Sequence, residues 1–144
     1  MHPFPHQYNV AATAAAEGNV QLASAGLPGL STAPPVEFDG PGDAWSPETL
    51  LVGAVADCFV LSFRSVAGAS RVPWTSLHCN VQGELDRIDK VSRFTTMRIH
   101  ARLVVPPEVG IDRAERLLHR AEQVCLISNS LSAVVLLTTD VTNG

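Results

Sequence analysis

Hydrophobic and polar positions change their period several times along this chain, and each change marks an element. In Ser76–Leu85 the residues Leu77, Cys79, Val81 and Leu85 fall on one side. Ser76, His78, Asn80, Gln82 and Glu84 fall on the other. Thr95–Val105 repeats the pattern, with Met97, Ile99, Ala101, Leu103 and Val105 set against Arg98, His100 and Arg102. Alternation of this kind predicts two strands with one wet face. The polar link Asp86–Ser92 makes them an antiparallel hairpin, and Pro106-Pro107 stops the second strand.

The segment Leu50–Phe63, LLVGAVADCFVLSF, has no such period. Ser46 suits an N-cap, Pro47 the first helical position, and Glu48 the positive end of the helix. A helix apolar on nearly every face is expected to be buried. Gly68 and the run Ser70–Pro73 end it. Further on, Ala114, Leu117, Leu118, Ala121, Val124 and Cys125 recur in steps of three and four, the mark of an amphipathic helix. Asp112 is its expected cap, with Glu115 completing a capping box. Ala133–Val141, β-branched and apolar, reads as a last strand.

Before the first helix the signals are shorter. Tyr8–Thr13 and Val20–Ala23 flank the turn Glu17-Gly18-Asn19 and predict a hairpin, although the run Ala14–Ala16 also suits a helix. Residues 26–46 form a loop rich in Pro and Gly, in which Val36–Phe38 is the one candidate strand. The order strands, helix, hairpin, helix, strand gives a single α+β domain over residues 1–144, a mainly antiparallel sheet packed on a long buried helix.

With 144 residues the chain suits one domain. Hydrophobic residues make up 46% and charged ones 17%, and the mean hydropathy is +0.16. That apolar excess excludes a disordered chain and predicts that a second copy covers part of the surface. The net charge of −4 argues against nucleic acid as a partner. No Lys or Arg precedes Arg64. The start MHPFPHQYNV lacks the pattern of a secretory signal. The uncharged stretch Gly18–Val36 is too broken, and the apolar helix too short and too marked by Gly and Asp, for a membrane span. A cytoplasmic location with no membrane association is the expectation.

Three cysteines, Cys58, Cys79 and Cys125, are too few and too scattered for a disulfide framework. Each taken singly reads as a packed, structural thiol. Cys58 and Cys125, however, lie on buried faces of two helices. If those helices pack together, the thiols can approach and support a cycle of thiolate, sulfenic acid and disulfide. Glu48 either complements the helix dipole or holds a cation over the sulfur. No close Cys or His pair suggests a metal, and His78 and Cys79 point to opposite faces of one strand. Neither a nucleophile elbow nor a phosphate-cradling loop is present, so no metal or other cofactor is expected.

The segment WSPETLLVGAVADCF resembles the central-helix signature of the OsmC/Ohr family, the osmotically inducible and organic hydroperoxide resistance proteins. AEQVCLISNSL, with 67 residues from Cys58 to Cys125, resembles that family's second-cysteine motif. GELD, FTTMRIHARLVVP and the helix before Cys125 follow in the family's order, so the likeness covers roughly residues 8–142. The resemblance implies an OsmC-like fold and an intertwined homodimer with active sites at the subunit interface. It implies reduction of organic hydroperoxides, with Cys58 as the attacking thiol, Cys125 as the resolving thiol and Glu48 as the partner of an activating arginine. A dithiol reductant of the lipoyl type is implied as well. The N-terminal stretch that carries the arginine in the family reads AAEGNV here, Asp57 directly precedes Cys58, and Leu126 stands where many members have proline. An alternative is a dimer of the same fold that binds an apolar small molecule in that pocket. Leu51, Val55, Phe59 and Leu61 are the apolar residues expected around Cys58.

Overall fold

The computed structural model describes residues 1–144. Contacts divide it into two units, Met1–Leu50 and Leu51–Gly144.

In the first unit, strands β1 (Ala11–Thr13), β2 (Val20–Ala23) and β3 (Leu30–Thr32) form an antiparallel sheet in that order. The hairpin β1–β2 is the expected one, and the alanines between its strands form no helix. β3 lies inside the expected loop, where Leu30 is its only large apolar residue and leaves no period to read. Val36–Phe38 corrects a second expectation, because it is a single 3-10 turn and not a strand. Asp39 leaves that turn at φ 60, and Gly40 follows so close to the chain that a Cβ would collide with the Pro34 carbonyl oxygen.

The helix α1 (Pro47–Ala69) begins where the sequence placed it. Ser46 Oγ accepts from the Thr49 backbone N–H at 3.1 Å, and Thr49 Oγ1 accepts from the Ser46 N–H at 2.9 Å, a reciprocal cap. Its end differs slightly. Gly68 stays helical, and Arg71, at φ 52, takes the left-handed position. At 23 residues, with an 18-residue stretch of mean hydropathy 1.8, the helix is long and apolar enough to cross a membrane, contrary to the expectation from Leu50–Phe63 alone. The stripe Val55, Phe59, Phe63 and Ala67 is instead sealed into the protein core.

That stripe corrects the expectation of burial all round. Within one chain α1 buries a single face, and Leu61 on another remains 50% exposed. Uniform apolarity cannot say which face meets the chain's own sheet.

The second unit is built on strands β4 (Ser76–Ile88), β5 (Val91–Val105) and β6 (Val134–Asn143), with β5 central. β4 and β5 form the predicted hairpin, but its link is two residues, Asp89 and Lys90, both at positive φ. The strands run on past the region where burial imposes alternation, and that extension carries no periodic signal. β6 pairs with β5 in parallel, from Thr96↔Val134 to Val105↔Asn143. A parallel neighbour requires a crossover, and α2 (Ile111–Val124) with the short α3 (Leu126–Asn129) supplies it. Gly110, not Asp112, takes the N-cap of α2, which leaves Asp112 in the first turn beside the positive helix end.

The buried faces meet as the alternation predicts. Met97, Ile99, Ala101, Leu103 and Val105 of β5 pack with the α1 stripe and with Ala114, Leu118 and Ala121 of α2. Gly83 on β4 lets α1 approach closely, since a Cβ there would lie 2.7 Å from a Val52 methyl.

Candidate active site

Two helices bring thiols into the second unit. Cys58 lies midway along α1, one position before the buried Phe59, and is partly buried. Its sulfur sits 3.9 Å from Ser62 Oγ, one helical turn on. Cys125 lies at the junction of α2 and α3 and is fully buried. The break there turns the chain out of helical geometry, with φ −66 and ψ 102. Ser128 Oγ donates to the Cys125 sulfur at 3.3 Å.

Cys58 stands close enough to Cys125 to act on its thiol. Burial is the main cause that pushes the Cys125 thiol up from its ordinary range. Hydrogen bonds from Ser128 pull it down, and the neighbouring Cys58 pushes it up again. All three cysteines are free thiols.

Cys79 lies on the core side of β4, as the alternation predicts, and is half-buried. Sequence alone did not place it near the other sulfurs. Burial, and then the proximity of Cys125, raise its pKa from 9.0 to about 11. The serines were also missed. Ser62 is four residues after Cys58, and Ser128 three after Cys125, so helical spacing carried a signal for both.

The apolar surroundings expected for Cys58 divide in two. Val55 and Phe59 are sealed in the core and line no open surface. Leu51 is partly buried and Leu61 half exposed.

Glu48 lies in the first turn of α1, ten residues before Cys58, or about 15 Å of helix rise. The helix itself therefore separates it from the sulfur. Its Oε2 is buried and has no hydrogen-bond partner. Among the basic groups of the N-terminal segment, His6 is engaged locally. Its Nε2 lies 3.0 Å from the His2 carbonyl oxygen, and its ring stacks on Phe4.

This arrangement offers a pair of neighbouring thiols, one buried and one partly accessible, each with a serine hydroxyl at its sulfur. Such a pair can store two electrons as dithiol and release them on forming a disulfide.

Comparison with known proteins places the geometry in context. A 104-residue stretch is 25% identical to the uncharacterized protein YmaD of Bacillus subtilis, covering 70% of this chain and 69% of that one. An OsmC-like protein of unknown function from Vibrio cholerae superposes with a TM-score of 0.85 at 18% identity, over 94% of this chain and 99% of that one. An organic hydroperoxide resistance protein from Legionella pneumophila gives a TM-score of 0.77 at 25% identity, over 97% and 99%. One from Elizabethkingia anophelis gives 0.79 at 20%, over 99% and 100%. These likenesses establish the OsmC-like fold. Residues 40–140 match the family described as OsmC-like protein, and the chain belongs to that family.

Proposed function

We propose that this protein is a thiol peroxidase for organic hydroperoxides. The observation that carries the reading is the approach of Cys58 and Cys125 on two different helices. The Cys58 thiolate attacks the terminal oxygen of the hydroperoxide. The O–O bond breaks, an alcohol leaves, and the sulfur becomes a sulfenic acid. The Cys125 thiol condenses with it, forming the disulfide and releasing water. A dithiol then reduces the disulfide by two exchange steps and is itself oxidised. Hydroperoxide resistance proteins among the relatives support the substrate class. The apolar character of Leu51 and Leu61 favours alkyl and aryl hydroperoxides over hydrogen peroxide.

The working unit in this reading is a homodimer. The half-exposed face of α1 and the exposed Phe38 and Trp45 supply the apolar surface for it. A light-scattering mass of one chain at micromolar concentration would contradict the dimer.

The test of the chemistry is a count of free thiols before and after one equivalent of cumene hydroperoxide. Loss of two thiols per chain is expected, with peptide mapping placing Cys58 and Cys125 in one disulfide. Three unchanged thiols overturn the reading.

A further inference from the structure

Attack of Cys58 on a hydroperoxide sets a proton problem. A thiol and a hydroperoxide become a sulfenic acid and an alcohol only when a proton reaches the departing alkoxide. An unprotonated alkoxide is a poor leaving group, and a positioned donor that protonates it as the O–O bond breaks lowers the barrier.

The helix α1 holds one such group beside the sulfur. Four residues along an α-helix advance about 6 Å and turn about 40° past a full circle, so Ser62 stands on the face of Cys58, one turn on. Side chains lean towards the helix start, which tips the Ser62 hydroxyl back over Cys58. A serine inside a helix ordinarily turns its hydroxyl to solvent or to the carbonyl four residues earlier. Ser62 does neither. It is partly buried, and its hydroxyl meets the Cys58 sulfur at 3.9 Å, a contact in which either atom can donate. A relay requires that two-way capacity, and a hydroxyl has it. The rest of the face offers nothing comparable. The side chains of Leu51, Ala54 and Leu61 carry no polar hydrogen, and Ser65, two turns from Cys58, is exposed. No Lys or Arg precedes Arg64, which falls about 120° round the helix from Cys58.

We propose, on the peroxidase reading above, that Ser62 is a further catalytic residue, a hydroxyl relay that takes the proton of Cys58 and gives its own to the leaving alkoxide. As the sulfur attacks the terminal oxygen, an S–O bond forms and the O–O bond breaks. The S–H proton passes to Ser62 Oγ, and the Ser62 O–H proton passes to the alkoxide oxygen. Sulfur loses two electrons, the peroxide gains them, and Ser62 ends as it began.

The test compares leaving groups that differ in their need for a proton. Single-turnover oxidation of Cys58 is followed in the Cys125→Ser protein by quenching into dimedone and mass spectrometry, with cumene hydroperoxide and with perbenzoic acid. Perbenzoic acid expels a carboxylate, which leaves unprotonated at neutral pH. Ser62→Ala is expected to slow the cumene hydroperoxide reaction about a hundredfold, the low end of what a positioned acid contributes, and to leave the perbenzoic acid reaction within about threefold. Ser62→Thr keeps the hydroxyl and is expected to restore most of the lost rate. A Ser62→Ala protein as fast as its parent with cumene hydroperoxide, equal slowing with both oxidants, or no recovery in Ser62→Thr each overturn the relay. Wild-type protein that does not consume cumene hydroperoxide at all overturns the peroxidase reading as well, so the two failures are read apart.

Discussion

The two units of this chain spend their apolar residues in opposite ways. In Leu51–Gly144 a continuous core forms from α1, β4, β5, β6 and α2, and its largest members are fully sealed. In Met1–Leu50 the only buried apolar residue is Ala33, while Leu27, Val36, Phe38 and Trp45 stand more than half exposed. Three strands of three or four residues with no covered apolar face fall short of what an independent sheet needs. The difference teaches that stability and recognition are drawn from separate stretches of sequence. The second unit holds itself together. The first leaves most of its large apolar side chains at the surface.

The largest effect expected from breaking this division is chemical. Cys58→Ser should abolish the consumption of cumene hydroperoxide, followed by the absorbance of residual peroxide, while the fold survives by circular dichroism. Cys125→Ser should retain one oxidation event per chain and lose the disulfide, with the sulfenic acid trapped by dimedone and read by mass spectrometry.

Next in size is a core substitution set against a surface one. Phe59→Ala should cost about 3–5 kcal/mol in urea unfolding, because it empties a sealed site. Phe38→Ala should cost less than about 0.5 kcal/mol on the separated chain. If Phe38→Ala proves as damaging as Phe59→Ala on the separated chain, the contrast between the units collapses.

Much of the second unit was legible because its periods are enforced by burial. Leu77 to Val81 and Met97 to Val105 each have one face that must avoid water, and the structure follows them residue by residue. Ser46 announced α1 through chemistry that is local to one turn. Cys58 was legible on the first long helix and Cys125 at the end of the amphipathic one, and the structure puts them at mid-α1 and at the α2–α3 junction. What stayed hidden depended on partners distant in sequence. The parallel pairing of β6 with β5 is invisible in Val134–Asn143 itself, since an apolar strand reads the same in either direction. The nearness of Cys79 to Cys125 needs the packing of a helix junction on a strand, which no spacing encodes. β3 is too short to own a pattern.

Smaller effects sharpen the same contrast inside the thiol cluster. Ser128→Ala removes a donor to the Cys125 sulfur and should raise that thiol further. Stopped-flow measurement of disulfide formation should show it slowed about fivefold, the worth of about 1 kcal/mol. Cys79 yields the gentlest signal. Its thiol is held to about 11 in the fold against 9.0 ordinarily, so the unfolded chain loses that proton first. Its contribution to stability is therefore complete below about pH 9 and fades as pH rises towards 11. Thermal unfolding across that range should fall more steeply in the wild type than in Cys79→Ala, and parallel curves would count against it.

The parallel seam between β5 and β6 also has a consequence in time. Its register joins Thr96 to Val134, so it cannot close until the whole connection between the two strands has been made and folded. Cys125 lies inside that connection, and α2, which leads up to it, packs on β6. Pairing of Val134–Asn143 with β5 thus completes the surface on which α2, and the approach to Cys125, is fixed.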